Sequence, residues 1–262
     1  MKNPMRERAA LVVLSGGQDS TTCLFWALQQ FKEVHAITFD YGQRHRAELL
    51  AAALVAGMSG IDPYNHHMVT VGPLLKGRSP LTNPTPPLET YANADEMAAT
   101  IGDRVELTFV PMRNALFLTI AANHAVCADI HDLVTGVCQA DNANYPDCRQ
   151  DFINHQAAAI NYALGFDMAS SMARADPPWF RIHTPLMDLA KADTVRLAMT
   201  LPGCMEAMAY THTAYSGEYP PITQDHATVL RAKGFADAGV PDPLIVRAWK
   251  EGHHHSVKHE IQ

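Results

Sequence analysis

Six small and polar residues, Ser15-Gly16-Gly17-Gln18-Asp19-Ser20, interrupt two apolar stretches and carry the most chemistry in the chain. Two adjacent glycines permit a tight turn that brings backbone N–H groups close to an anion. Residues 9–14, AALVVL, precede it with the compact apolar pattern of a buried parallel strand, and TTCLFWALQQF follows with helical character. Such a strand-to-helix junction favours phosphate, because the free N–H groups at a helix start attract negative charge. Asp19 or Ser20 is placed to cap that helix, and Asp19 also offers the hard carboxylate oxygen that a magnesium–nucleotide complex takes. No Lys-Ser/Thr pair follows the glycines, so the turn is not a Walker A loop. Lys191 and Arg113, each at the start of a predicted helix, are the candidate cations for balancing charge on a departing phosphate group.

The elements that must hold these groups alternate as βαβ units, which predicts an α/β fold with a Rossmann-like, doubly wound parallel sheet. Strands are expected at 9–14, 34–39, 65–71, 105–110 and 131–137. Helices are expected after the glycine turn and at about 45–57, 114–127, 149–163, 188–199 and 223–238. Residues 72–93 carry five prolines, which forbid a continuous helix or a central strand; they read as a long surface loop, either a lid or an unstructured excursion. Residues 247–262 read as a polar, His-rich tail. The organisation expected is an α/β nucleotide domain over 1–200 and a small C-terminal helical region over 201–262.

The 262 residues, 47% of them hydrophobic, suffice for one large core. A formal charge of −7 argues against broad contact with a nucleic-acid backbone. Charged residues make up only 18%, which fits an oligomer, and a homodimer is expected. No apolar run is long enough to cross a bilayer. Cys23, Cys127, Cys138, Cys148 and Cys204 form an odd, scattered set that suits a reducing cytoplasm better than a disulfide framework.

The string Ser-Gly-Gly-x-Asp-Ser, behind a buried strand and ahead of an apolar helix, resembles the pyrophosphate loop of N-type ATP pyrophosphatases. These enzymes cleave ATP between the α and β phosphates and pass AMP to a substrate oxygen. Further strings narrow the resemblance: LSGGQDSTTCL, TFDYGQRHRAEL (38–49), VPMRNALFLTIAA (110–122), TGVCQADNANYPDCRQDFI (135–153) and TPLMDLAKADTVRLA (184–198) are together similar to the 7-cyano-7-deazaguanine synthase family. The resemblance implies an adenine nucleotide alpha hydrolase-like fold and an ATP-dependent ligase that turns 7-carboxy-7-deazaguanine and ammonia into the nitrile, by adenylating first the carboxylate and then the amide oxygen. It implies ATP and magnesium as cofactors. It places Ser15 to Ser20, Asp40, Tyr41, Gly42, Gln43 and Gly136 on the nucleotide side, with Asp40 or Tyr41 facing the adenine or its ribose. It places His45, Asn114, Asp141, Tyr145, Asp147 and Arg149 on the substrate side, and Asp19, Ser20, Arg113 and Lys191 in the chemistry. The residues themselves allow the same: Asp141, Asp147 and Arg149 match the donor and acceptor edge of a deazaguanine, Tyr145 can stack on its ring, and Arg113 can fork onto phosphate or carboxylate. Equally, 141–149 reads as a polar turn that starts a helix. Cys148 also admits a sulfur-transfer role.

The resemblance breaks near the C-terminus. The family pattern sets four zinc-binding cysteines there, whereas this chain has Ala214, Ile222, Asp225 and Thr228 at those places, with Thr211, Tyr215, Arg231 and Gly234 still in register. Ala and Ile hold no metal, so zinc is expected to be absent, and Tyr215, Tyr219, Pro220, Pro221 and Ile222 are expected to turn inward and fill the region. His212, Asp225 and His226 are the alternative ligand set. Loss of the cage leaves three readings: the nitrile synthase, a divergent ligase that stops at an amide or takes another carboxylate, and a non-catalytic nucleotide-binding protein.

Overall fold

The structure, a computed structural model, describes residues 4–72, 74–83, 85–139, 144–166 and 179–253. The strands are β1 (Ala9–Val13), β2 (Glu33–Asp40), β3 (His66–Thr70), β4 (Asp132–Val134) and β5 (Arg181–His183). The helices are α1 (Gln18–Gln30), α2 (Ala47–Ser59), α3 (Ala94–Ile101), α4 (Arg113–Cys127), α5 (Gln150–Ala163), α6 (Lys191–Thr200), α7 (Cys204–Met208), α8 (His226–Ala238) and α9 (Pro243–Lys250). The five strands form one parallel sheet in the order β3-β2-β1-β4-β5.

A parallel sheet needs cover on both faces, and the apolar residues supply it. Leu24, Phe25, Val55, Val195, Met208 and Phe235 pack on one side, while Leu118, Ile153 and Phe180 join Leu11, Ile37 and Leu133 on the other. The chain is therefore a doubly wound α/β protein. Strand order reverses between β1 and β4, and ligands of open α/β sheets bind at such a reversal, beyond the carboxyl ends of the strands. The SGGQDS turn leaves β1 there, and Thr135-Gly136 leaves β4 beside it.

Three expectations need correction. Residues 105–110, VELTFV, are not a strand. Their alternation is inverted, with Glu106, Thr108 and Val110 buried and Val105 and Leu107 exposed. The Glu106 carboxylate accepts from the Thr108 amide at 2.7 Å and from its hydroxyl, which bends the segment into a turn. The C-terminal tail starts later than expected: α9 runs to Lys250 and buries Leu244, Ile245 and Ala248. Residues 72–93 form neither helix nor strand where described, yet they are no loose excursion: Ser79 and Tyr91 are buried, and Leu81 reaches the central cavity.

Candidate active site

The glycine turn is fixed by its own hydroxyls. Ser20 Oγ donates to the Gly17 carbonyl at 3.1 Å and accepts from the Ser15 amide at 3.1 Å, and it lies 3.0 Å from Ser15 Oγ. Gly16 adopts φ +84°, and a Cβ there would lie 2.5 Å from the Glu48 carbonyl and 2.6 Å from the Ala52 amide, so α2 closes on the turn only over a glycine. Neither Asp19 nor Ser20 caps α1. The N-cap is Gly17, which makes no side-chain capping bond, and this leaves the first helical N–H groups facing an anion site rather than satisfied by a side chain. The buried side-chain amide of Gln18 has no hydrogen-bond partner among the described residues, a second donor left for a ligand.

Lys191, at the start of α6, donates to both Asp19 carboxylate oxygens at 3.0 Å. Its side chain needs the space above Gly234, where a Cβ would stand 2.3 Å from the lysine Cγ. Gly136 fills an equivalent place under α1: a Cβ there would be 3.0 Å from the Asp19 carbonyl carbon.

A cavity of about 350 Å³ opens beyond this turn, within the range of small-molecule sites. It is lined on the turn side by Ser15, Gly17, Gln18, Asp19, Ser20, Gly136 and Lys191, and on the other by Tyr41, Gln43, Arg113, Asn114, Tyr145 and Cys148. Arg113 follows Met112, which takes a left-handed φ of 64°, a conformation that costs about 1–2 kcal/mol for an L-residue. The Asn114 side-chain amide donates to the Asp147 carbonyl at 3.3 Å, which ties α4 to the 145–148 turn. Tyr145 donates its hydroxyl to Glu106 at 3.1 Å. Burial pushes the Asp147 carboxyl up, against the pull of Arg113.

Other residues expected in the site are bonded within the turns or lie outside the cavity. Gln43 lines the cavity but spends its amide on the turn itself, accepting from the Tyr41 amide and donating to the Phe39 carbonyl. Asp40 pairs with Arg46 at 3.0 Å and accepts from the Gly42 amide, and neither Asp40 nor Gly42 lines the cavity. His45 packs on Gly217 instead. Arg149 is exposed, and Asp147 stands behind the wall. Asp141 is outside the described residues. Burial, helped by Asp147, pushes the Cys148 thiol up to about 12. Cys148 is therefore a neutral thiol and not the thiolate that sulfur transfer needs.

The C-terminal residues complete the cavity, with His212, Thr213, Tyr215, His226 and Arg231 in its wall. The His212 amide donates to the Gly16 carbonyl at 2.9 Å and straps the segment onto the phosphate turn. Arg231 donates to both Asp242 carboxylate oxygens at 2.6 and 2.7 Å, to the Thr211 and Thr213 hydroxyls, and to the Met208 carbonyl. Burial and the nearby Lys191 charge lower His226 to about 4. The places of the family's cysteines do not fit a metal. Ala214 has no donor, and the Asp225 oxygens accept from the Tyr215 and Thr228 amides. Of the expected fillers, Pro220 and Pro221 are buried and Tyr215 and Tyr219 half-buried, but Ile222 turns outward and is 54% exposed. His212 lies with its Nε2 2.8 Å from the Ala214 carbonyl, and among the described residues no three His, Cys, Asp or Glu side chains are arranged to hold a metal.

One acidic cavity-wall residue, Glu48, lies within the 38–49 string but is not among the candidate site residues. It sits in the first turn of α2, and burial pushes its carboxyl up to about 7 against the opposing Arg113.

A family model described as "Queuosine biosynthesis protein QueC" matches residues 9–239. The chain belongs to the QueC family. Relatives named 7-cyano-7-deazaguanine synthase agree over nearly the whole length. That of Gloeobacter violaceus is 46% identical over 245 residues, 93% of this chain and 96% of the relative. That of Laribacter hongkongensis is 47% identical over 239 residues, 91% of this chain and 94% of the relative. With its family established, the chain is an ATP-dependent ligase of queuosine biosynthesis, built on the nucleotide-binding loop of the pyrophosphatase superfamily. Two solved structures also align: U34-tRNA thiolase NcsA from Methanococcus maripaludis and NMN synthetase from Francisella tularensis. The first is 17% identical with a TM-score of 0.40, covering 97% of this chain and 71% of that one. The second is 14% identical with a TM-score of 0.43, covering 97% and 87%. Neither likeness bears on the activity.

Proposed function

We propose that this QueC-family ligase converts 7-carboxy-7-deazaguanine and ammonia to 7-cyano-7-deazaguanine, with AMP and pyrophosphate released at each of two adenylations. The observation that carries the reading is one cavity in which the uncapped start of α1 and Lys191 face Arg113 and Asn114 across aromatic walls. The α1 amides and the glycine turn hold the triphosphate, and Lys191 offsets charge on the departing pyrophosphate. Asp19 is the residue that would hold magnesium, which supplies further charge neutralisation when bound. Arg113 forks onto the substrate carboxylate. Tyr145, Phe117 and Tyr41 flank the planar heterocycle, and Asn114 reads its edge.

No helix among the described residues is long and apolar enough to cross a membrane. Among the described residues no cysteine is in a disulfide, which supports a cytoplasmic enzyme. On α2, Leu50, Leu54 and Met58 recur every four residues and are 69%, 52% and 43% exposed. That apolar stripe supports a homodimer.

Mass spectrometry of a reaction with ATP, magnesium, ammonium and 7-carboxy-7-deazaguanine tests the function. The nitrile, AMP and pyrophosphate are expected. Amide that accumulates with no nitrile at excess ATP would make the chain an amide synthetase, and ADP as the sole nucleotide product would end the adenylation reading.

A further inference from the structure

The reaction has a demand that the phosphate side of the cavity does not meet: nitrogen must shed protons. Ammonia at neutral pH is mostly ammonium, which has no lone pair. Ammonium must first lose one proton to attack, and the attacking nitrogen then loses another as the amide forms and AMP leaves. In the second round the amide oxygen takes AMP as pyrophosphate leaves. The nitrogen then gives up its two remaining protons as the C–O bond to AMP breaks and the C≡N bond forms. Each of these losses needs a base within reach of one atom.

Among the described residues only two carboxylates line the cavity, Asp19 and Glu48. Asp19 is held by Lys191 at the phosphate turn. Glu106 is turned away into Thr108 and Tyr145. Glu48 differs from both. Its backbone is pinned against Gly16, so the side chain starts beside the phosphate loop. Its carboxylate accepts no hydrogen bond from a described residue. The groups that share the cavity wall with it and act on its charge are the Arg113 guanidinium from α4, the Tyr41 hydroxyl just after β2 and the Tyr215 hydroxyl from the C-terminal wall.

We infer that Glu48, flanked by Tyr41 and Tyr215, forms the subsite that takes ammonium and accepts the protons that nitrogen loses in both rounds. A carboxylate next to aromatic faces attracts a small cation. Arg113 opposes that cation until the substrate carboxylate neutralises it, which orders ammonium after the acid. The Glu48 carboxyl, raised by burial to about 7, is poised to take a proton and return it to water. Both tyrosines are pushed up by burial and stay protonated in this range.

The inference rests on the proposed substrate, and hydroxylamine separates the two. Hydroxylamine is neutral at pH 7, so it attacks the acyl adenylate without first needing a base to free its lone pair. In E48Q the ammonium-dependent rate is expected to fall about 10²–10⁴-fold, with hydroxamate formation falling far less, so the ratio of the two rates drops by at least about tenfold. An unchanged ratio in E48Q beside an active wild type would overturn the role of Glu48 alone. A wild type that makes no nitrile, no amide and no hydroxamate would overturn the substrate reading and this inference with it. If E48Q does not fold, E48D gives the same ratio test, with a smaller drop expected and an unchanged ratio again overturning the role.

Discussion

The two walls of the cavity are built in opposite ways. The phosphate turn is local: Ser15 and Ser20, five residues apart, close it with their own hydroxyls and amides. The wall at 211–231 is held from a distance: Arg231 gathers Met208, Thr211, Thr213 and Asp242, and Asp225 holds Tyr215 and Thr228. In the family pattern thiolates on a metal staple this second wall. Here Asp225 stands at one of the cysteine places and accepts from the Tyr215 and Thr228 amides, beside an Arg231 that keeps the family register, and the His212 amide stays strapped to Gly16. The difference teaches that one wall of a site can be closed by neighbours in sequence and the other by a buried ion pair and a buried carboxylate that gather distant segments.

Breaking the first wall should remove chemistry and leave the fold. K191A and D19A should each lower AMP release by about 10²–10³-fold with a melting temperature close to that of the wild type, since both groups face the cavity. A large loss of stability in either variant would mean that the local wall is not independent of the core.

Breaking the second wall should do the reverse. D242A leaves Arg231 buried without its partner, which costs about 3–5 kcal/mol, and it also removes the α9 cap. Urea titration should show the loss, and activity should fall only as the folded fraction does.

A smaller effect is expected from acid. The folded chain holds His226 at about 4, below its ordinary value, because its neutral form is buried beside Lys191. The unfolded chain then binds the extra proton as pH falls through 6.5, so the contribution of His226 is present above that pH and lost progressively down to about 4. H226Q should flatten this part of the stability–pH curve, measured by urea titration at fixed salt. The smallest effect is expected from a chelator that leaves magnesium available: neither melting temperature nor rate should move. Stoichiometric zinc that is lost together with stability would show that His212 or His226 had rebuilt a metal site.

The contrast also explains what the sequence revealed. Strands β1 to β4, the helices that pack on them and the phosphate turn were legible because each is coded by neighbours: an apolar run, a glycine turn, then a helical pattern; β5, three half-buried residues, was not expected as a strand. Lys191 and Arg113 were legible as helix-start cations. Glu48 was not, because nothing within five residues reports that α2 closes over Gly16 and turns that carboxylate inward. The segment 105–110 misled for a related reason. Its alternation is real, but the buried phase is the polar one, since Glu106 and Thr108 satisfy each other. Ile222 misled because a missing cage suggested that every apolar neighbour fills the gap, whereas Pro220 and Pro221 are buried and Ile222 stays outside.

The bond from the His212 amide to the Gly16 carbonyl carries a consequence for timing. The turn that holds phosphate is made first, near the start of the chain, but its strap, the glycine that makes room for Lys191 and the arginine that anchors the wall all come after residue 210. On the ribosome, the motif that announces ATP handling therefore emerges well before the residues that strap it and make room for Lys191.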